Sequence, residues 1–217
     1  MITYKEYENF NILCEQVVNY LIENKIIGWF QGRSEFGPRA LGNRSILANP
    51  TIIDNQDYIN KQVKHREEWR PYAPIMLEEY VHEWYDIPKK TSPYMLFNAR
   101  LLPDKIGRVP AVTHIDGTAR VQTVSERQNK PIFQLLKEFY KQTTVPILLN
   151  TSFNVRGEPI VCTPEDAYIC FMRTDMDYLV IGDILVTASD ALGGATRGGM
   201  MDDRDATMSQ QEAEYLD

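Results

Sequence analysis

Helical and strand-like hydrophobic patterns alternate along this chain, and that alternation constrains its fold more than any other feature. Tyr7, Phe10, Leu13, Cys14, Val17, Val18, Leu21 and Ile22 recur at three- and four-residue steps. That period predicts an amphipathic helix over roughly Lys5 to Glu23. Ile26 to Phe30 is an unbroken apolar run and reads as a buried strand. Asp54 is placed to cap a helix reaching about Val63. Pro131, at a first helical position, leads Ile132, Leu135, Leu136, Phe139 and Tyr140 along one face. Val145 to Leu149 is a second buried strand. Thr163, Pro164, Glu165 and Asp166 combine a cap, an N1 proline and first-turn acids, starting a helix to about Arg173. Tyr178 to Val186 returns as strand. Helices alternating with strands predict a mixed α/β domain built around one central sheet.

Composition excludes several other classes. Of 217 residues, 43% are hydrophobic and 24% charged, which is ordinary for a globular chain and removes fibrous and disordered readings. Cys14, Cys162 and Cys170 are odd in number and lack C-x-x-C spacing, so neither a disulfide framework nor a zinc site fits, and a reducing cytoplasm is the simplest home. Lys5, Glu6, Glu8 and Glu15 rule out a signal peptide at the start, and no stretch approaches the ~20 apolar residues of a membrane span. The net charge of -7 argues against nonspecific binding to nucleic acid or anionic membranes. From Met200 to Asp217 there are six acids against Arg204, so the negative charge is concentrated at the C-terminus. Residues 189–217 therefore read as a flexible acidic tail following one domain over residues 1–188.

Four polar segments stand out against this framework. Gly32 to Ser45 (GRSEFGPRALGNRS) follows a buried strand and holds Arg33, Arg39 and Arg44 among Gly32, Gly37 and Gly42. Glycines let backbone N–H groups approach an anion, and arginines can converge on a phosphate as bidentate donors. The segment reads as a surface loop, with Phe36, Ala40 and Leu41 as its apolar anchors, rather than as core. Lys64, Arg66 and Arg70 form a second basic group, interleaved with Glu67 and Glu68, which also suits ordinary surface ion pairing. Thr113 to Arg120 (THIDGTAR) is dense in hydrogen-bonding groups and precedes the strand-like Val121 to Val124. A lone histidine such as His114 is more often structural than catalytic. Asn150 to Pro159 (NTSFNVRGEP) follows the strand Val145 to Leu149, in the position where open α/β sheets bind ligands, although an Asx-rich turn is the plainer reading. No phosphate-binding P-loop, dinucleotide-binding glycine fingerprint, H-E-x-x-H or nucleophile elbow is present.

Together GRSEFGPRALGNRSIL (Gly32 to Leu47), KHREEWRPYAP (Lys64 to Pro74), HIDGTARVQT (His114 to Thr123) and LLNTSFNVRGEPIV (Leu148 to Val161) resemble the C-terminal domain of the NodU/CmcH carbamoyltransferases. The resemblance covers most of residues 26–187. It implies a YrdC-like fold, a twisted open sheet with flanking helices, that makes carbamoyl-adenylate from carbamoyl phosphate, ATP and Mg2+. Lys64-x-Arg66 and Ser152-x-Asn154 are similar to the K-x-R and S-x-N signatures of threonylcarbamoyl-adenylate synthases. Family members carry an N-terminal domain of actin-like fold, with a histidine-bound metal, that transfers the carbamoyl group to an acceptor hydroxyl. The present sequence does not contain that domain, so transfer is expected to need an N-terminal domain or subunit. His65, His82 and His114 are widely spaced and offer no metal site for that step.

The resemblance implies that carbamate, formed from carbamoyl phosphate, attacks the α-phosphorus of ATP and expels pyrophosphate. Both substrates are polyanions, which suits Arg33, Arg39, Arg44, Lys64, Arg66, Arg70 and Arg120 to their binding. Arg39, Arg44 and Arg120 are expected near carbamoyl phosphate. Lys64, Arg66, Ser152 and Asn154 are expected around ATP, and His114 or Asp116 at the reacting centre. Gly37, Ser45, Thr118 and Asn150 complete the candidate binding set. As charged loop residues, Arg39 and Lys64 are expected to contribute little to folding. Two rival readings are a nonenzymatic nucleotide- or phosphate-binding partner module and a threonylcarbamoyl-adenylate synthase; the Gly32 to Ser45 motif speaks against the latter.

Overall fold

In chain order the elements are β1 (Ile2–Glu6), α1 (Phe10–Ile22), β2 (Ile27–Phe30), β3 (Arg44–Ala48), α2 (Asp54–Tyr58), β4 (Ala73–Leu77), α3 (Val81–Trp84) and β5 (Tyr85–Asp86). They continue with β6 (Phe97–Leu101), β7 (Thr118–Val124), α4 (Lys130–Thr143), β8 (Ile147–Ser152), α5 (Pro164–Met172), β9 (Tyr178–Ile181) and β10 (Ile184–Ala188). The structure is a computed structural model and describes residues 2–188. The expected acidic tail, residues 189–217, lies outside the described residues. The ten strands join in the order β1-β10-β9-β2-β3-β8-β4-β7-β6-β5. Only the β2/β9 and β4/β7 pairs are parallel. This is the expected mixed α/β class, an open sheet with flanking helices. Among the described residues, no helix is long and apolar enough to cross a membrane.

Most expected elements form, and the local reasons are visible. Thr163 and Asp166 make a complete capping box at α5, with Pro164 in its first turn. Asn129 caps α4, whose buried face is Ile132, Leu135, Leu136 and Phe139. Three expectations need correction. The first helix starts at Phe10 because Asn9 caps it, its Oδ1 accepting from Asn11 N at 2.9 Å, and the residues before it pair with β10 as an edge strand. The second helix is α-helical only to Tyr58 and then widens into a π-turn over Ile59–Val63. The final strand is a hairpin, broken at Gly182, whose φ is +58°. β3 and β4 carry no expectation in the sequence because polar residues and prolines mask them, yet both are fully buried.

The register decides where a site can form. β8 lies between β3 and β4, antiparallel to both, with Ser152 opposite Ser45 and Asn150 opposite Ala73. The carboxyl ends of β2, β8 and β9 therefore meet the amino ends of β3, β4 and β7 along one end of the sheet. All four polar segments leave or enter the sheet there.

Phe153 fixes the chain just past β8. It is fully buried, and a methyl group on Gly28 of β2 would come within 2.9 Å of its Cζ. Gly28→Ala is thus expected to cost about 1–3 kcal/mol by overpacking, read as a lower midpoint in urea unfolding. An unchanged midpoint would show that Phe153 moves freely.

Candidate functional site

The end of β8 is held by one buried cation. Lys64, directly after the π-turn, is 2% exposed, and its Nζ donates to the carbonyl of Ser152. It also donates to the carbonyl and Oδ1 of Asn154, each at 2.8 Å. Ser152 Oγ donates to Asn154 Oδ1 at 2.7 Å, and Asn154 Nδ2 to the Glu158 carbonyl at 2.7 Å. Burial, reinforced by Arg66, pushes the Lys64 ammonium down to about 7. The surrounding oxygens oppose that shift, since only the charged form satisfies them with three N–H donors. The expectation of a solvated loop lysine is overturned: Lys64 is core.

A second buried polar residue shapes the following turn. Asn60 is fully buried; its Nδ2 donates to the carbonyls of Glu68 (2.8 Å) and Arg70 (3.0 Å). Its Oδ1 accepts from Arg66 Nε at 2.8 Å and from Tyr72 Oη at 2.6 Å. The Arg66 guanidinium also lies 5.0 Å from the Tyr72 ring centroid. Its orientation is therefore fixed from two sides. Sequence reading missed both Asn60 and Tyr72. The available signal for Asn60 was an asparagine inside a predicted helix, where that residue is disfavoured without a job to do.

Arg66 faces a cleft of about 150 Å³ whose wall also includes Arg39, Arg120, Tyr72, Asn150 and Ser152. Among the described residues, none of these three arginines forms an ion pair with a carboxylate. Burial, followed by the like charge of Arg39, pushes the Arg120 guanidinium below its ordinary value. Arg120 Nε and Asn150 Oδ1 are buried without a hydrogen-bond partner in the described structure. Asn150 Nδ2 is engaged with the Ala40 carbonyl and Gln122 Oε1, both at 3.0 Å, leaving its oxygen for something else. A buried donor and acceptor left unmade each cost about 1–3 kcal/mol, and an anion between the arginines would relieve the repulsion. The three guanidinium groups give the cleft a positive character.

A cavity of about 310 Å³ adjoins, sharing Pro71, Tyr72, Ala73 and Arg120 with this cleft and adding Asn98 and His114. Burial, aided by Arg120 and opposed by Asp116, lowers the His114 imidazole, keeping it neutral near pH 7. Asp116 faces its own turn: Oδ1 accepts from Thr118 Oγ1 (2.7 Å) and Thr118 N (2.9 Å), which hold its carboxyl below the usual range.

The structure thus brings Arg39, Arg66, Arg120, Asn150 and Ser152 to one cleft, with His114 in the adjoining cavity and Lys64 and Asn154 behind it. Other candidates lie elsewhere. Arg33 is exposed, its carbonyl accepting from Asn43 Nδ2. Arg70 is exposed and ion-paired with Glu67 at 3.1 Å. Arg44 and Ser45 are buried in β3, so the first segment ends as core rather than loop. The Arg44 Nη atoms donate to the carbonyls of Gln31, Asn43 and Gly32, and its guanidinium stacks 3.5 Å from the Phe30 ring centroid. Gly37 lines a separate cavity. Of the expected apolar anchors Ala40 is buried, whereas Phe36 is fully exposed and anchors nothing; Glu35 adds a polar anchor, Oε1 accepting from Leu41 N (2.9 Å) and Asn43 N (2.6 Å). Among the described residues, no group of three or more His, Cys, Asp or Glu side chains could hold a metal.

The family model for the carbamoyltransferase C-terminus matches residues 18–188. Nodulation protein NolO of Bradyrhizobium diazoefficiens is 48% identical over 176 residues, which cover 80% of this chain and 32% of that protein. An uncharacterized protein of Synechocystis sp. is 44% identical over 201 residues, or 83% of this chain and 32% of its own length. Nodulation protein U of Rhizobium tropici is 42% identical over 155 residues, or 71% and 26%. The chain spans about a third or less of the curated relatives it matches. Among solved structures, full-length HypF in its phosphate- and nucleotide-bound form aligns with a TM-score of 0.51 at 17% identity, covering 85% of this chain and 22% of that one. At that identity the likeness is one of fold.

Burial separates the two basic residues in a testable way. Lys64→Met leaves carbonyls unpaired and is expected to cost about 1–3 kcal/mol at pH 7, whereas Arg39→Ala should stay within about 0.5 kcal/mol. The lowered Lys64 pKa means the unfolded chain binds more protons between about 7 and 10.5, so this group makes stability rise with pH across that window. Urea unfolding between pH 7 and 9.5 should show a flatter rise in Lys64→Met than in the wild type. Parallel profiles would show that Lys64 does not titrate there.

Proposed function

Since this chain belongs to the carbamoyltransferase C-terminus family, we propose that it forms carbamoyl-adenylate from carbamoyl phosphate and ATP, magnesium entering with the nucleotide. The observation that carries this reading is the cleft where, among the described residues, Arg39, Arg66 and Arg120 converge without carboxylate partners, beside the unpaired Arg120 Nε and Asn150 Oδ1. Polyanionic substrates supply the charge the cleft lacks. Phosphoryl chemistry depends chiefly on position and charge neutralisation, which fixed guanidinium groups provide.

Water first cleaves carbamoyl phosphate into inorganic phosphate and carbamate. The neutral His114 is suited to accept a proton from that water, and Arg39 and Arg120 to hold the phosphate. A carbamate oxygen then forms a bond to the α-phosphorus of ATP while the bond to the α,β-bridging oxygen breaks and pyrophosphate leaves. Arg66 and Ser152 face the triphosphate in this arrangement. Lys64, fully engaged with oxygens, positions Ser152 and Asn154. Passing the carbamoyl group to an acceptor hydroxyl belongs to a further domain or subunit; the greater length of the relatives supports this division. Three free cysteines fit a reducing, cytoplasmic setting.

Purified protein with MgATP is expected to release pyrophosphate only when carbamoyl phosphate is added. Equal release without it would overturn the reaction, and dependence on bicarbonate and threonine instead would identify a threonylcarbamoyl-adenylate synthase. Nucleotide binding without release would leave a nonenzymatic module. Arg120→Ala should lower the rate by roughly 30- to 1,000-fold, the equivalent of about 2–4 kcal/mol of lost transition-state stabilisation. A near-normal rate would remove it from the site.

A further inference from the structure

A single hydroxyl group decides which nitrogen of His114 is free to take a proton. Thr118 opens β7, and its Oγ1 lies 2.7 Å from Asp116 Oδ1, 3.1 Å from Asn98 Nδ2 and 3.4 Å from His114 Nδ1. A hydroxyl has one proton to give and two lone pairs to fill. The Asp116 carboxyl, held below its usual range by the Thr118 hydroxyl and N–H, is ionised near neutral pH and can only accept. The hydroxyl proton therefore goes to Asp116. Turning it toward His114 would set an oxygen lone pair against the carboxylate at that 2.7 Å separation. With the proton committed, the Asn98 amide can meet Oγ1 only as a donor, and the second lone pair is left facing the imidazole.

The backbone holds this relation in place. His114 N donates to the Thr118 carbonyl at 2.8 Å and Gly117 N to the His114 carbonyl at 2.9 Å, which closes a tight turn. Arg100, opposite Thr118 on β6, donates from Nη1 to the Asp116 carbonyl at 2.8 Å. His114 and Asn98 both line the cavity that continues from the arginine cleft. Among the described residues, the hydrogen bond of the imidazole is made by Nδ1, and Nε2 has none.

We infer that Thr118 is a positioning residue: by accepting from Nδ1–H of His114 it holds the neutral imidazole in one tautomer and leaves the Nε2 lone pair as the base. The inference rests on the reading of His114 as the group that accepts a proton from water, and adds which atom receives it. When that proton reaches Nε2 the ring becomes an imidazolium. The chain from Nδ1–H through the Thr118 hydroxyl to Asp116 then brings a carboxylate charge to bear on the new cation.

Thr118→Val keeps the shape of the side chain and removes the acceptor, whereas Thr118→Ser keeps the acceptor. Proton–nitrogen correlation NMR on protein carrying isotope-labelled histidine reads the tautomer, the His114 signals being those lost in His114→Gln. Near neutral pH the ring proton is expected on Nδ1 in the wild type and in Thr118→Ser, and spread over both nitrogens in Thr118→Val. For carbamoyl phosphate-dependent pyrophosphate release, kcat should fall about tenfold in Thr118→Val with KM for ATP unchanged, and recover to within about twofold of the wild type in Thr118→Ser. A proton on Nε2 in the wild type would overturn the inference and leave the proposed reaction standing. A normal rate in Thr118→Val, or an equal loss in the serine and valine variants, would do the same. The expected tautomers in a wild-type protein that releases no pyrophosphate would support the role of Thr118 in setting the tautomer and overturn the reaction instead.

Discussion

A buried ammonium group organises this end of the molecule. Charge taken out of water must be met by oxygen atoms, and Lys64 meets three of them on two residues 88 and 90 positions further along the chain. That demand ties the π-turn to the end of β8. The turn in turn sets Asn60, Asn60 sets Arg66 and Tyr72, and the strand end sets Ser152. Neither segment has much regular structure of its own, so cross-chain polar bonds do what a helix or ladder does elsewhere. The packing of Phe153 over Gly28 supplies the apolar half of the same joint.

How charges are treated differs sharply between the cleft and the rest of the surface. Lys137 pairs with Glu79, Lys61 with Glu68, and Arg173 with Glu158, ordinary exposed contacts of small energetic value. Among the described residues, the cleft gathers three cations without any such partner, in a chain whose net charge is -7. Cationic character is therefore a local construction, made by register and side-chain anchoring rather than by composition. Its cost in repulsion and unmade hydrogen bonds is borne by a large apolar core, as functional sites generally require.

Much of the fold was legible where local chemistry and burial agree. The capping box at Thr163, the proline-led face of α4 and the apolar run of β2 each have a short-range cause. β3 was hidden because its first two residues, Arg44 and Ser45, are polar although buried, and β4 because Pro71 and Pro74 read as breakers. The edge strand β1 exists only through its partner β10, a contact spanning almost the whole described chain. At the site, residue types were informative and environments were not. Sequence marks Lys64 and Arg39 as equal cations, yet one is core and the other is surface. It marks Phe36 as a hydrophobic anchor, while the anchoring is done by a carboxylate bonded to two backbone amides. Periodicity carries no information about such long-range polar bonds.

The pairing of β1 with β10 has an architectural consequence. Ile2 lies opposite Ala188, so the two ends of the described fold stand side by side, about 5 Å apart as cross-strand neighbours are. β10 runs away from the hairpin at Gly182, which places both ends at the edge of the sheet remote from the arginines. A short peptide bridge could close this fold into a ring without crossing the arginine cleft, and the ring could be reopened at an exposed turn such as the one at Gly107. Circular permutation of this kind would leave every strand neighbour in place, because the order of strands in space is independent of where the polypeptide is cut.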